Sequence, residues 1–204
     1  MVRVTRPEPK RRGRPRAYDP ERAVRDARDV FWRNGYAATS LDELAAGMGM
    51  NRPSIYAAFG DKRALYLRAA ADYAEASRAS LARALAGPGS LRDVLYATYR
   101  GARDFYLTDA ARGCFLIGTA VTEANRDPDV RAIVDSTFEA FTAMFTERFE
   151  RAAIDGELAG HPAGMLAQIA TAALNNLAVR VRAGATPELL DILIDATVRV
   201  ITNA

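Results

Sequence analysis

Apolar residues recur along almost the whole chain at intervals of three and four, the spacing that lines one face of a helix. No stretch shows the strict alternation of a half-buried strand, so the pattern predicts an all-α protein of about nine helices. Start and stop signals bound them. Asp19-Pro20 supplies a cap and an N1 proline. Ala23, Ala27, Val30 and Phe31 follow at helical spacing, and Asn34-Gly35 ends the helix. Ser40 and Glu43 form a capping-box pattern for a short helix over Leu41–Ala46, broken by Gly47-Met48-Gly49. Asn51 caps a third helix, Arg52–Phe59. Gly60-Asp61 then opens a long helix from Lys62 to about Leu85. After Gly87-Pro88-Gly89, helices are expected from Ser90 to about Leu107, from Cys114 to Ala124, and from Asp127-Pro128 to Ile154. The last two run over Ala163–Arg182 and from Thr186-Pro187 to about Ile201.

The residues 41–59 carry the most specific pattern. Ala45, Gly49 and Ile55 sit four and ten residues apart, as a helix-turn-helix requires. A small residue lets the two helices approach, a glycine takes the positive-φ turn, and a branched apolar side chain locks the second helix on the first. Leu44 and Met50 add to that core. The second helix presents Arg52, Pro53, Ser54, Tyr56 and Ala57 outward, with its N-terminal part suited to a major groove. Thr39 and Ser40 place hydroxyls and free amides at a helix start, which suits a phosphate. By spacing alone, an αα-hairpin without a DNA role remains open.

Charge favours the DNA reading. The chain of 204 residues has a net charge of only +3. Residues 1–68 nevertheless hold 15 Lys/Arg against 8 Asp/Glu, while the remainder is net acidic. A basic front on an acidic rear suits a polyanion-binding segment joined to a body with another task. Residues 1–17, with three prolines and seven basic side chains, read as an arm that does not pack. Within it RGRPR, residues 12–16, is the core of an AT-hook. Arg14 and Arg16 fit the floor of a narrow A·T minor groove, or else act as a basic tail that raises non-specific affinity.

The stretch GYAATSLDELAAGMGMNRPSIYAAFGDKRALY, Gly35 to Tyr66, with Phe31 before it, closely resembles the tetracycline-repressor (TetR) family of bacterial regulators. Gly35-Tyr36, Ile55-Tyr56, Phe59 and Lys62…Leu65 carry the resemblance, which spans residues 17–66. Pro53 stands where many members have glycine; proline is tolerated at the second helical position. The resemblance implies three segments: a basic arm (1–17), a helix-turn-helix DNA-binding domain (18–66), and a ligand-binding and dimerisation domain (67–204). It implies that Tyr56, Lys62, Thr39 and Ser40 meet phosphates of double-stranded DNA. Arg52, Ser54 and Ala57 would approach base edges, with Arg52 on a guanine or on a phosphate. It also implies a homodimer through the last two helices and an unidentified small-molecule effector. No motif marks the effector site, so aromatic and polar groups of the middle helices are the candidates: Tyr99, Arg103, Phe105 and Tyr106; Phe115, Thr119, Thr122 and Glu123; Phe138, Phe141, Met144 and Phe145; and Asn175, which with Asn176 needs a partner if buried. Trp32 and Phe31 are expected in the core of the small domain.

Other functions find little support. One cysteine, Cys114, and one histidine, His161, exclude an internal disulfide framework and a two-histidine metal site within one chain. No metal or cofactor is expected. No acidic pair has a catalytic context, so an enzyme is not expected. Cys114 follows Gly113 at a helix start, a position that can lower a thiol pKa. The uncharged run Leu158–Val179 is too polar and broken to span a bilayer, and no signal-peptide core follows the basic N-terminus, so a cytoplasmic protein is expected. The expected function is a ligand-responsive repressor released from a palindromic operator; the alternative is an activator or architectural DNA-binding protein without an effector.

Overall fold

A computed structural model describes residues 18–108, 113–158 and 160–203. Among the described residues the chain forms nine helices and no strand. α1 (Pro20–Asn34) starts on the Asp19 carboxylate, which accepts from the Glu21 amide at 3.0 Å, and stops at Gly35 with φ 80°. α2 (Leu41–Met48) is opened by the reciprocal Ser40–Glu43 box and closed by Gly49, φ 60°, ψ 30°. This helix runs two residues further than the sequence pattern suggests. Gly47 does not break it: a Cβ there would stand 2.4 Å from Val30 Cγ2, so the glycine serves close approach of α2 to α1. α3 (Arg52–Phe59) is capped by Asn51 and α4 (Lys62–Leu85) by Asp61. α5 spans Leu91–Tyr106.

α6 is not a regular helix. It begins as π-helical turns, Leu116–Ala120, and continues as α-helix over Val121–Ala124. Such turns often accompany functional positions. α7 (Pro128–Ile154), α8 (Ala163–Arg182) and α9 (Pro187–Thr202) complete the chain, with Asp127 and Thr186 as caps.

Two apolar cores result. The rear core joins α5, α7, α8 and α9 around Leu95, Tyr99, Phe145, Phe149 and Leu174. The front core centres on Phe31, Leu44, Ile55, Leu65 and Tyr66, but does not end with the helix-turn-helix. It continues through Ala70, Tyr73 and Ala74 of α4, Phe115, Leu116 and Ala120 beside and within α6, and Val130 and Val134 of α7. No gap between cores falls at residue 66. A ladder of aromatic rings crosses there: Tyr66 lies 5.1 Å from Phe31 and 5.9 Å from Phe115, and Trp32 lies 5.2 Å from Tyr73. Close-packed contacts of this kind transmit displacement between the units they join.

Candidate DNA interface and internal cavity

The two helices of the motif are seated as their spacing requires. Ile55 is fully buried between α1, α2 and α3, and Leu44 faces it from α2. Holding α3 by that face leaves Arg52, Pro53, Tyr56 and Ala57 exposed on the other, with Ser54 half-buried. The Ser54 amide donates to Asn51 at 2.9 Å, which pins the first turn. Tyr56 is 49% exposed. Ser40 lies exposed at the start of α2, and the Lys62 ammonium stands 4.5 Å above the Tyr36 ring at the start of α4.

Two expected contacts take a different form. Thr39 is turned inward, only 2% exposed, and its hydroxyl donates to the Gly35 carbonyl at 2.6 Å. Its side chain closes the α1–α2 turn. Arg52 is not a free cation: its Nε donates to Asp42 Oδ1 at 2.7 Å and Nη2 donates to Oδ2. The pair holds the Asp42 carboxyl below its usual range, first through the Arg52 hydrogen bond. One edge of the guanidinium is thus occupied, and the end-on fork formed by Nη1 and the second Nη2 hydrogen is left for an acceptor. Arg14 and Arg16 lie outside the described residues.

Behind this surface is a cavity of about 520 Å³. Arg28, Asp29 and Trp32 of α1 line it, with Tyr73 and Leu81 of α4, Phe105 and Tyr106 of α5, Cys114 and Leu116 at the start of α6, Phe138 and Phe141 of α7, and Leu174 and Asn175 of α8. Of the expected effector residues, Phe105, Tyr106, Phe138, Phe141 and Asn175 reach it, whereas Thr122, Glu123 and Met144 do not line it; Asn176 is exposed elsewhere. Tyr99 and Phe145 are packed in the rear core, where the Tyr99 hydroxyl donates to the Ala170 carbonyl at 2.9 Å. Phe115 stands one layer behind the wall, in ring contact with Trp32 and Tyr73. Thr119 accepts from Tyr66 at 3.1 Å and donates to the Phe115 carbonyl. Arg103 points to α9 and is paired with Asp104 and Asp191. The contribution of α1 to the wall carries no local sequence signal. It goes with contacts far apart in sequence, among them Trp32 against Tyr73 and Phe115 and the Arg182 guanidinium donating to the Trp32 carbonyl at 3.1 Å.

Cys114 lies on this wall, and the Tyr73 hydroxyl donates to its sulfur at 3.5 Å. Burial pushes the thiol pKa up, against the lowering expected at a helix start; amides of Ile117 and Leu116 and the Tyr73 hydroxyl offset only part of it. The thiolate is therefore scarce at neutral pH.

The outer faces of α8 and α9 are mostly apolar and uncovered among the described residues. Met165, Ile169, Ala172, Asn176 and Val179 form a stripe along α8. Leu189, Ile192, Ala196 and Val200 form another along α9, while Leu190, Ile194, Val198 and Ile201 face the chain's own core. Ile192 is 64% exposed and Val200 57%. No described helix is long and apolar enough to cross a membrane, and no metal-ligating cluster occurs among the described residues.

A helix-turn-helix presenting its second helix, on an all-helical body, is the arrangement of a DNA-binding transcriptional regulator, and the relatives of the chain are such regulators. The model of the bacterial regulatory proteins of the tetR family matches residues 24–69. The chain is 30% identical over 152 residues to the uncharacterized HTH-type transcriptional regulator YezE of Bacillus subtilis (strain 168), covering 72% of this chain and 77% of that one. It is 30% identical over 138 residues to the HTH-type transcriptional repressor BdcR of Escherichia coli (strain K12), covering 67% and 68%. A cysteine mutant of the TetR family regulator CifR, solved with 26-base-pair double-strand operator DNA, superposes with a TM-score of 0.82 at 31% identity, covering 91% of this chain and 98% of that one. The chain belongs to the TetR family.

Proposed function

We propose that this regulator is a homodimeric repressor, released from a palindromic operator by a small molecule that enters the internal cavity. Residues 18–66 act as the reading head and residues 67–204 as the effector and dimer unit, with the arm at residues 1–17 adding minor-groove contacts through Arg14 and Arg16. The protein acts in the cytoplasm, where its DNA lies.

One observation carries the reading: the cavity wall is shared between α1 of the reading head and five helices of the rear unit, α4 to α8. A ligand there touches both units at once. α4 adds a rigid link, since it begins at Lys62 on the DNA face and reaches the cavity at Tyr73 and Leu81. Arg63 ties its first turn to Asp127 and Asp129 at the start of α7, at 2.6 Å each. An effector moves this system only by binding the DNA-incompetent arrangement better than the competent one. The paired stripes of α8 and α9 support a four-helix seam with a second copy, and a two-fold dimer presents two reading heads to half-sites about 34 Å apart or a multiple of that. In the groove, Arg52 offers its end-on fork to a guanine, while Tyr56, Ser40 and Lys62 hold phosphates.

The test is a footprint on DNA upstream of the protein's own gene, with a salt titration and a compound screen for release. A palindromic footprint, a steep salt slope and ligand-dependent release are expected. Sequence-independent binding would sink the operator reading. A stable footprint that no compound releases would favour an architectural role or an activator.

A further inference from the structure

Four tyrosines, Tyr66, Tyr73, Tyr99 and Tyr106, are nine-tenths or more buried. Three of their hydroxyls donate internally: Tyr66 to Thr119, Tyr73 to the Cys114 sulfur, and Tyr99 to the Ala170 carbonyl. Tyr106 is 8% exposed and lies on the cavity wall, yet its hydroxyl has no partner among the described residues. A buried phenol without a partner is uncommon, because the lost hydration is not recovered. Asn175, half-buried on the same wall, also has an unpartnered side-chain amide. The surrounding wall is aromatic, with Trp32, Phe138 and Phe141. The α1 charges are already compensated, since Arg28 is paired with Asp29 and lies 5.8 Å from the Trp32 ring, and Arg83, the other lining cation among the described residues, is exposed to solvent.

We propose that the cavity binds a neutral, flat aromatic compound bearing a hydrogen-bond acceptor, which takes the Tyr106 hydroxyl and the Asn175 amide while its rings lie against Trp32, Phe138 and Phe141. The assignment rests on the effector reading above and names the chemistry of that site. A volume of about 520 Å³ admits a bicyclic or tricyclic ring system. An acceptor completes the donor that folding leaves unfilled. The rings meet Trp32, so occupancy is felt directly in α1, the first helix of the reading head.

The test is calorimetric titration of the full chain, wild type and Tyr106→Phe, with three probes of matched shape. These are 2-acetylnaphthalene, which has an acceptor; 2-ethylnaphthalene, which has none; and 2-naphthoate, which is charged. The ketone should bind the wild type roughly tenfold more tightly than the ethyl compound, as one recovered hydrogen bond allows. Tyr106→Phe should erase that margin and leave the ethyl compound's affinity unchanged. The unliganded variant should melt at the wild-type temperature or above, because the hydroxyl removed had no partner. Equal binding of ketone and ethyl compound, tightest binding of the naphthoate, or a clearly lower melting temperature for the variant would each overturn the assignment. So would failure of all three to bind. In that event the effector reading still stands if other compounds raise the wild-type melting temperature, and falls if none does.

Discussion

Tyr66 joins the reading head to α6, and its hydroxyl can be removed without disturbing its ring. In Tyr66→Phe the ring contacts with Phe31 and Phe115 stay and the hydrogen bond to Thr119 goes. Thr119 keeps its own donor engaged with the Phe115 carbonyl, so the variant leaves one acceptor position unfilled and no orphaned donor. At neutral pH the loss should therefore be about 1 kcal/mol, or about 2–4 °C in Tm for a chain of this size. Alkaline pH should reverse the order. Burial pushes the Tyr66 phenol up to about 12, while in the unfolded chain it titrates near 10. A group whose folded pKa is raised contributes stability that is present below the unfolded value and lost as pH rises towards the folded one. Two units correspond to about 2.7 kcal/mol lost from the wild type across that window and absent from the variant. The two stabilities should then cross near pH 11, by about 1 kcal/mol of loss. The other buried tyrosines are common to both proteins and cancel in the difference. Urea denaturation followed by far-ultraviolet circular dichroism at pH 7, 9, 10 and 11 reads the crossing. An unchanged difference at pH 11 would show that water reaches the phenol, and a loss beyond about 3 kcal/mol at pH 7 would mean that the ring seat, not the hydroxyl, had been damaged.

Asp42→Asn releases Arg52 from its carboxylate; non-specific DNA binding should tighten and the operator-to-random affinity ratio should fall, as read in salt titrations, and an unchanged ratio would deny Asp42 any orienting role. Ile192→Glu places a charge in the exposed stripe of α9; sedimentation should show a folded monomer with weakened operator binding, and a persisting dimer would relocate the seam. Gly113→Ala should destabilise by more than about 2 kcal/mol in urea, because φ is +68° and a Cβ would stand 2.6 Å from the Ala178 carbonyl oxygen. Wild-type stability in that variant would mean that the α6–α8 approach is looser than described.

Helix boundaries were legible because their causes are local. Asp19, Ser40, Asn51, Asp61, Asp127 and Thr186 each cap the helix that follows within three residues, and the proline or glycine beside them acts at the same range. The helix-turn-helix was legible for the same reason: Ala45, Gly49 and Ile55 meet within one compact hairpin. Gly47 shows the limit. In the sequence it has the character of a breaker, but its role depends on Val30 in another helix.

The interior followed different rules. Phe141 and Phe145 lie one turn apart on α7 and both join the rear core, yet only Phe141 also borders the cavity. Periodicity marks both as inward-facing, and only what packs against each level of α7 separates them. The place of Trp32 in the wall, the inward turn of Thr39 and the closure of Arg52 on Asp42 are likewise products of packing between helices. Nearest-neighbour chemistry sets where a helix begins and ends. Which side chains share a space is set by how whole helices close on one another, at sequence separations over which no short-range pattern carries information. The lone hydroxyl of Tyr106 belongs to that second kind: tyrosine is ordinary in an amphipathic helix, and its missing partner exists only once α5 is seated against α1, α4 and α8.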